Sequence, residues 1–101
     1  MPQFIYVMRP VNPEMAVNPD LWTEADNKMA EDHFAYLTKA TEAGQVVLAG
    51  RSLDDKGPAV VIFEAENEDE ARRFMEGDPF VSMGFANVTL HPYRVALQRK
   101  E

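Results

Sequence analysis

Apolar and polar positions recur along this chain with two different periods. Short runs rich in β-branched and aromatic residues fall at Gln3 to Met8, Gln45 to Ala49, Pro58 to Ala65 and Ala86 to Leu97, and each reads as a strand. The last of them is expected to bend at Pro92. Between the first two runs, Thr23 to Ala43 follows a helical period instead. Wound at about 100° per residue from Met29, the residues Trp22, Ala25, His33, Tyr36, Leu37, Ala40 and Ala43 fall within roughly −40° to +80°. Glu24, Lys28, Glu31, Asp32, Lys39 and Glu42 take the opposite arc. Thr23 is the expected N-cap, with Asp26 three positions on, and Gly44 the expected stop. A second helix starts after Asn67, with Glu70 at the reciprocal capping position and a stripe of Ala71, Phe74 and Met75. Gly77 ends it, and a loop is expected from Asp78-Pro79 to Gly84. The segment Arg9 to Asp20, with Pro10, Pro13 and Pro19, and the turn-rich segment Gly50 to Gly57 read as connections.

The order is βαββαβ, which predicts an α+β fold of the ferredoxin-like kind, an antiparallel sheet with two helices on one face. Two helices cover only that face. Yet the strands are apolar on both sides, with Phe4, Tyr6 and Met8 against Ile5 and Val7, and Val61 and Phe63 against Val60 and Ile62. A sheet with one face in water would carry polar residues there. The second face is therefore expected to bury against a second copy, giving a homodimer with the sheets face to face.

Composition narrows the function classes. The 101 residues fit a single domain spanning 1–101. A formal net charge of −7 argues against nucleic acid or an anionic membrane as partner. With no cysteine, thiol nucleophiles and zinc thiolates are excluded. No apolar run approaches the ~20 residues that span a bilayer, and the N-terminus lacks the marks of a secretory signal. A cytoplasmic location is the default expectation.

Two residues stand out chemically. His33 puts an imidazole on the apolar stripe of the first helix, where an unpaired polar group costs about 1–3 kcal/mol. It is either a core histidine bonded to a carbonyl or carboxylate, or a general base or acid titrating near neutrality. Asp78, before Pro79, is either an ordinary N-cap or the carboxylate that orients His33. The spacing of 45 residues leaves both open. His91 shares a strand face with Thr89 and Tyr93, but two histidines without paired spacing make no metal site. There is no glycine-rich phosphate loop and no serine-nucleophile signature.

The segments HFAYLTKATEAGQVVLAGRSLDDKG, AVVIFEAENEDEARRFMEGDPF and GFANVTLHPYRV, with FIYVMRP at the start, together resemble the YciI-like (YCII-related) proteins. The resemblance covers about Asp32 to Val95 plus the first strand. It implies a dimeric α+β barrel, with an active site built from a histidine of the first helix and the aspartate of the DP motif. These correspond to His33 and Asp78. One member of the family it resembles eliminates chloride from a chlorinated hydroxyquinol, and the wider superfamily includes muconolactone isomerases and cofactor-free monooxygenases.

Where the family often shows AGPL, this chain has Ala49-Gly50-Arg51-Ser52. Arg51 is then a solvated loop residue or an anchor for a carboxylate or phenolate, since guanidinium offers a planar fork. Arg9, at the end of the first strand, invites the same two readings. Ser52 can contact a ligand or simply suit a turn, and Phe80 is a pocket wall or a hydrophobic plug. The expected function is a small cofactor-independent enzyme. His33, oriented by Asp78, would move a proton in an elimination or isomerisation of a small cyclic or aromatic acid, with no metal. The alternative is a non-catalytic module that binds a small metabolite.

Overall fold

The computed structural model describes residues 1–100. Four strands, β1 (Gln3–Pro10), β2 (Val46–Arg51), β3 (Ala59–Glu64) and β4 (Ala86–Tyr93), form one antiparallel sheet in the order β2-β3-β1-β4. Helices α1 (Glu24–Glu42), α2 (Glu68–Gly77) and the one-turn α3 (Pro79–Ser82) lie on one face. The fold is the ferredoxin-like α+β arrangement that the order of elements predicts.

Period-two alternation decides which side chains meet the helices. Phe4, Tyr6 and Met8 of β1 and Val61 and Phe63 of β3 are buried against Leu37 and Ala40 of α1 and Ala71 and Met75 of α2. Rings fill the centre: Tyr6 meets Phe63 edge-on at 5.7 Å, and Phe63 and Phe74 lie 4.7 Å apart.

The caps explain why the helices start and stop where they do. Thr23 Oγ1 accepts from the Asp26 amide at 3.1 Å, and Asp26 Oδ2 accepts from the Thr23 amide at 3.0 Å. This closes a full capping box. Gly44 follows α1 at φ +83°, a left-handed conformation open to glycine without strain. On α2, Asn67 accepts from the Glu70 amide at 2.9 Å, but the Glu70 carboxylate pairs with Arg73 rather than completing a box.

The structure differs from the sequence expectation at several boundaries. β2 runs on through Gly50 and Arg51, which pair with Val60 and Ala59. The stretch after Asp78 is not all loop, because Asp78 and Pro79 start α3. The proline-rich segment after β1 holds two 3-10 turns, Pro13–Ala16 and Pro19–Leu21, capped by Asn12 and Asn18. β4 ends at Tyr93, and it tolerates Pro92 because it is an edge strand that needs no second ladder. Ala25 and Ala43, expected on the buried stripe, are exposed at the two ends of α1. No helix among the described residues is long and apolar enough to cross a membrane.

The sheet face away from the helices carries Ile5 and Val7 of β1, Val60 and Ile62 of β3 and Leu48 of β2. Ile62 is buried, Leu48 is 47% exposed, and the other three lie between. Its β4 edge is polar, with Asn87, Thr89 and His91.

Candidate active site

The corner between α2 and α3 is built around Asp78. It ends α2, and its Oδ1 accepts from the Phe80 amide at 3.0 Å as N-cap of α3, with Pro79 in the first turn. The side chain is completely buried. Burying a carboxylate is costly unless each oxygen is paired. Here Tyr6 donates its hydroxyl to Oδ2 at 2.7 Å, and His33 Nδ1 lies 2.6 Å from Oδ1. Three elements, β1, α1 and α3, thus converge on one carboxyl group. Among the described residues no buried side-chain polar atom lacks a partner.

This arrangement fixes the histidine. A carboxylate is acceptor-only, so with Asp78 in that form, accepting also from Tyr6 and from the Phe80 amide, the proton in the third bond comes from His33 Nδ1. In the neutral imidazole Nε2 is then the unprotonated nitrogen. No described residue bonds to it. The ring lies nearly flat on Phe80, with centroids 3.9 Å apart and 13° between planes. The His33 side chain is 15% exposed, enough for one edge to reach a ligand.

That edge lines a cleft of about 960 Å³. Its apolar wall includes Met8, Met15, Trp22, Phe80 and Phe85. Phe80 and Phe85 lie 4.4 Å apart, and Phe85 and Trp22 5.2 Å, so the wall is a continuous run of rings ending in the imidazole. Trp22 is held by its indole N–H, which donates to the Met15 carbonyl at 2.8 Å.

The structure brings four of the six expected site residues together at this cleft: His33, Phe80, Arg51 and Ser52 all line it. Asp78 lies directly behind His33. Arg51 is exposed at the end of β2, and its guanidinium reaches the Ser52 carbonyl in a long hydrogen bond of 3.4 Å. The Ser52 hydroxyl donates to the Pro58 carbonyl at 3.0 Å, so toward a ligand it acts as an acceptor. Arg9 is not brought to the cleft. It follows Ile5 and Val7 on the other face of β1, with Nε 3.5 Å from the Lys56 carbonyl. Among the described residues no cluster of three or more histidine, cysteine or carboxylate side chains is placed to hold a metal.

Sequence reasoning did not single out Tyr6 as a site residue. Its signal was present: a tyrosine between Phe4 and Met8 on the helix-facing side of a central strand needs a partner for its hydroxyl. Burial, and then the charge and hydrogen bond of Asp78, hold the Tyr6 phenol protonated far above the ordinary tyrosine value. Tyr36, one turn after His33 on α1, is shifted the same way by burial and then by Asp78. Its hydroxyl donates to the Phe74 carbonyl at 2.7 Å, tying α1 to the end of α2.

The comparisons with known proteins agree with this architecture. No curated protein sequence matches the chain. Among solved structures it is similar to the 5-chloro-2-hydroxyhydroquinone dehydrochlorinase TftG from Burkholderia phenoliruptrix AC1100, in complex with 2,5-dihydroxybenzoquinone. The TM-score is 0.63 at 22% identity, covering 90% of this chain and 93% of that one. At that identity the likeness concerns the fold. The model of the YCII-related domain matches residues 5–94, and the chain belongs to that family.

Proposed function

We propose that this protein is a small cofactor-independent enzyme that uses His33 as a general base or acid. The reaction class is proton transfer coupled to elimination or isomerisation of a small cyclic or aromatic acid. The observation that carries this reading is the 2.6 Å contact between His33 and Asp78 at the wall of an apolar cleft. A carboxylate on Nδ1 keeps Nε2 available as a base and stabilises the imidazolium once the proton has moved. Such a group contributes about 10²–10⁴-fold to rate. Elimination from an activated ring needs one positioned base and a leaving group, and no redox step.

The wall of the cleft supports this substrate class. Trp22, Phe85 and Phe80 offer flat apolar surfaces beside the imidazole, which suits a planar ring. Arg51 supplies a cation for a carboxylate or phenolate on that ring. The activity of the similar dehydrochlorinase belongs to the same reaction class and lends this reading support. The assembly in this reading is a homodimer packed through the apolar sheet face, and Arg9 then faces the partner sheet rather than the cleft.

A second reading draws on the burial of Asp78. Its bonds to three elements would hold α3 in place with or without chemistry, as in a module that only binds a metabolite. Turnover separates the two. Ring compounds bearing a carboxylate or phenol and a leaving group are screened for product. The enzyme reading expects the activity found to collapse in His33→Ala and Asp78→Asn. Binding without turnover across the panel, or turnover unchanged in both variants, rejects it.

A further inference from the structure

Tyr6 is a buried titratable group for which general acid–base chemistry at His33 has no direct use. It is wholly buried, lies on a central strand, and does not line the cleft. Nevertheless its hydroxyl donates at 2.7 Å to Asp78, on the oxygen not shared with His33. We propose that Tyr6 is a positioning residue of this site: its hydroxyl sets how strongly Asp78 draws on the Nδ1 proton of His33, and so tunes the base.

The argument is one of shared charge. Asp78 has three donors: Tyr6 from β1, His33 from α1 and the Phe80 amide of α3. The amide is fixed by the helix turn and cannot adjust. Each donor carries part of the buried negative charge, so weakening one shifts the load to the others. Without the Tyr6 hydroxyl, the carboxylate depends more on the imidazole. The protonated imidazole carries that load better than the neutral one, so proton affinity at His33 rises. With the hydroxyl in place, part of the charge is held at Oδ2 and His33 gives up its proton more readily. The other titratable group close by, Tyr36, has its own hydroxyl committed to the Phe74 carbonyl. Arg51, Glu42 and Asp54 line the cleft without bonding to Asp78 or to His33.

Geometry argues against Tyr6 being only a packing residue. A phenylalanine would fill the same space against Phe63 and Phe74, and the hydroxyl alone reaches the carboxylate. The two tyrosines also differ: Tyr36 bonds a backbone carbonyl and ties helices together, whereas Tyr6 bonds the side chain that is hydrogen-bonded to the candidate base.

The proposal rests on His33 being the reacting group for its meaning, but its test needs no substrate. The chain has two histidines, and His91 is exposed on the polar edge of the sheet, bonded to Thr89. It serves as an internal control. Both imidazoles are titrated by NMR in the full-length wild type and in Tyr6→Phe. The His33 midpoint should rise by about half a unit or more in the variant, while His91 stays put. A His33 midpoint unmoved in a folded Tyr6→Phe protein overturns the proposal, even if the melting temperature falls, because a purely structural role predicts that pattern. Should Tyr6→Phe fail to fold, the wild type decides. The ring carbon bearing the Tyr6 hydroxyl should shift along the His33 titration with the same midpoint, and a flat response there overturns the coupling. Loss of turnover in His33→Ala is a separate question. An unchanged rate there would remove the enzymatic role while leaving the measured coupling intact.

Discussion

Tyr36 occupies the space that a side chain at Gly77 would need. A Cβ built at Gly77 would lie 2.5 Å from the Tyr36 hydroxyl and 3.1 Å from the ring carbon that bears it. The same hydroxyl bonds the Phe74 carbonyl, so it is not free to swing aside. This close approach lets the end of α2 come down on α1, which sets Asp78, the next residue, against His33.

Gly77→Ala should therefore destabilise the protein by about 1–3 kcal/mol, through crowding rather than lost propensity, since alanine is the better helix former. Combining it with Tyr36→Phe, which removes the clashing oxygen, should cost less than the sum of the two single changes. Urea unfolding of the four proteins measures this, and strict additivity would show that the contact does not matter.

Asp78→Ala should cost about 3 kcal/mol or more. It strips the cap from α3 and leaves the buried Tyr6 hydroxyl without its acceptor. A loss of stability at Asp78 alone thus fails to distinguish a catalytic carboxylate from a structural one. His33, partly exposed at the cleft, is the position where stability and activity separate.

The raised Tyr6 value carries a signed prediction. In the unfolded chain tyrosine loses its proton near about pH 10, while in the folded protein Tyr6 keeps it. Above that pH the native state binds more protons than the unfolded state, so stability falls as pH rises. Below it, the contribution is fully present. Denaturant unfolding on either side of about pH 10 should show the decline, less steep in Tyr6→Phe. An equal decline in both proteins would place its origin elsewhere.

The open face of the sheet gives a prediction about assembly. Ile5, Val7 and Val60 are only half-covered and Leu48 is exposed, a contiguous apolar surface on a chain of net charge −7. Sedimentation equilibrium should give twice the chain mass, and Val60→Asp should shift it toward monomer. A wild-type monomer at micromolar concentration would contradict the homodimer.

The parts of this fold set by local chemistry were legible in the sequence. The cap at Thr23, the left-handed Gly44, the two-sided apolar strands and the βαββαβ order all follow from residues close together in the chain. His33 was legible as a polar residue on an apolar stripe. Its partner Asp78 was legible only as one of two readings of that aspartate, because a separation of 45 residues, with two strands and α2 between, leaves the contact open; the resemblance to a family favoured the pairing. Tyr6 went unnoticed because a tyrosine on a buried strand face looks like packing until its hydroxyl is followed. Arg9, at a strand end, and Arg51, in an expected loop, invited the same two readings, yet β2 extends to put Arg51 at the cleft while strand alternation sends Arg9 to the opposite face. The short α3 was underestimated because four residues carry too little periodicity to show.

The most direct measurement of the central claim uses His33→Gln. Glutamine can still donate to Asp78, so stability should stay within about 1 kcal/mol of the wild type. It cannot serve as a base near neutral pH. On whichever ring substrate the wild type turns over, kcat/KM should fall by about 10²–10⁴-fold. A rate equal to the wild type, with the variant folded and His33 replaced, would contradict the assignment of His33 as the base.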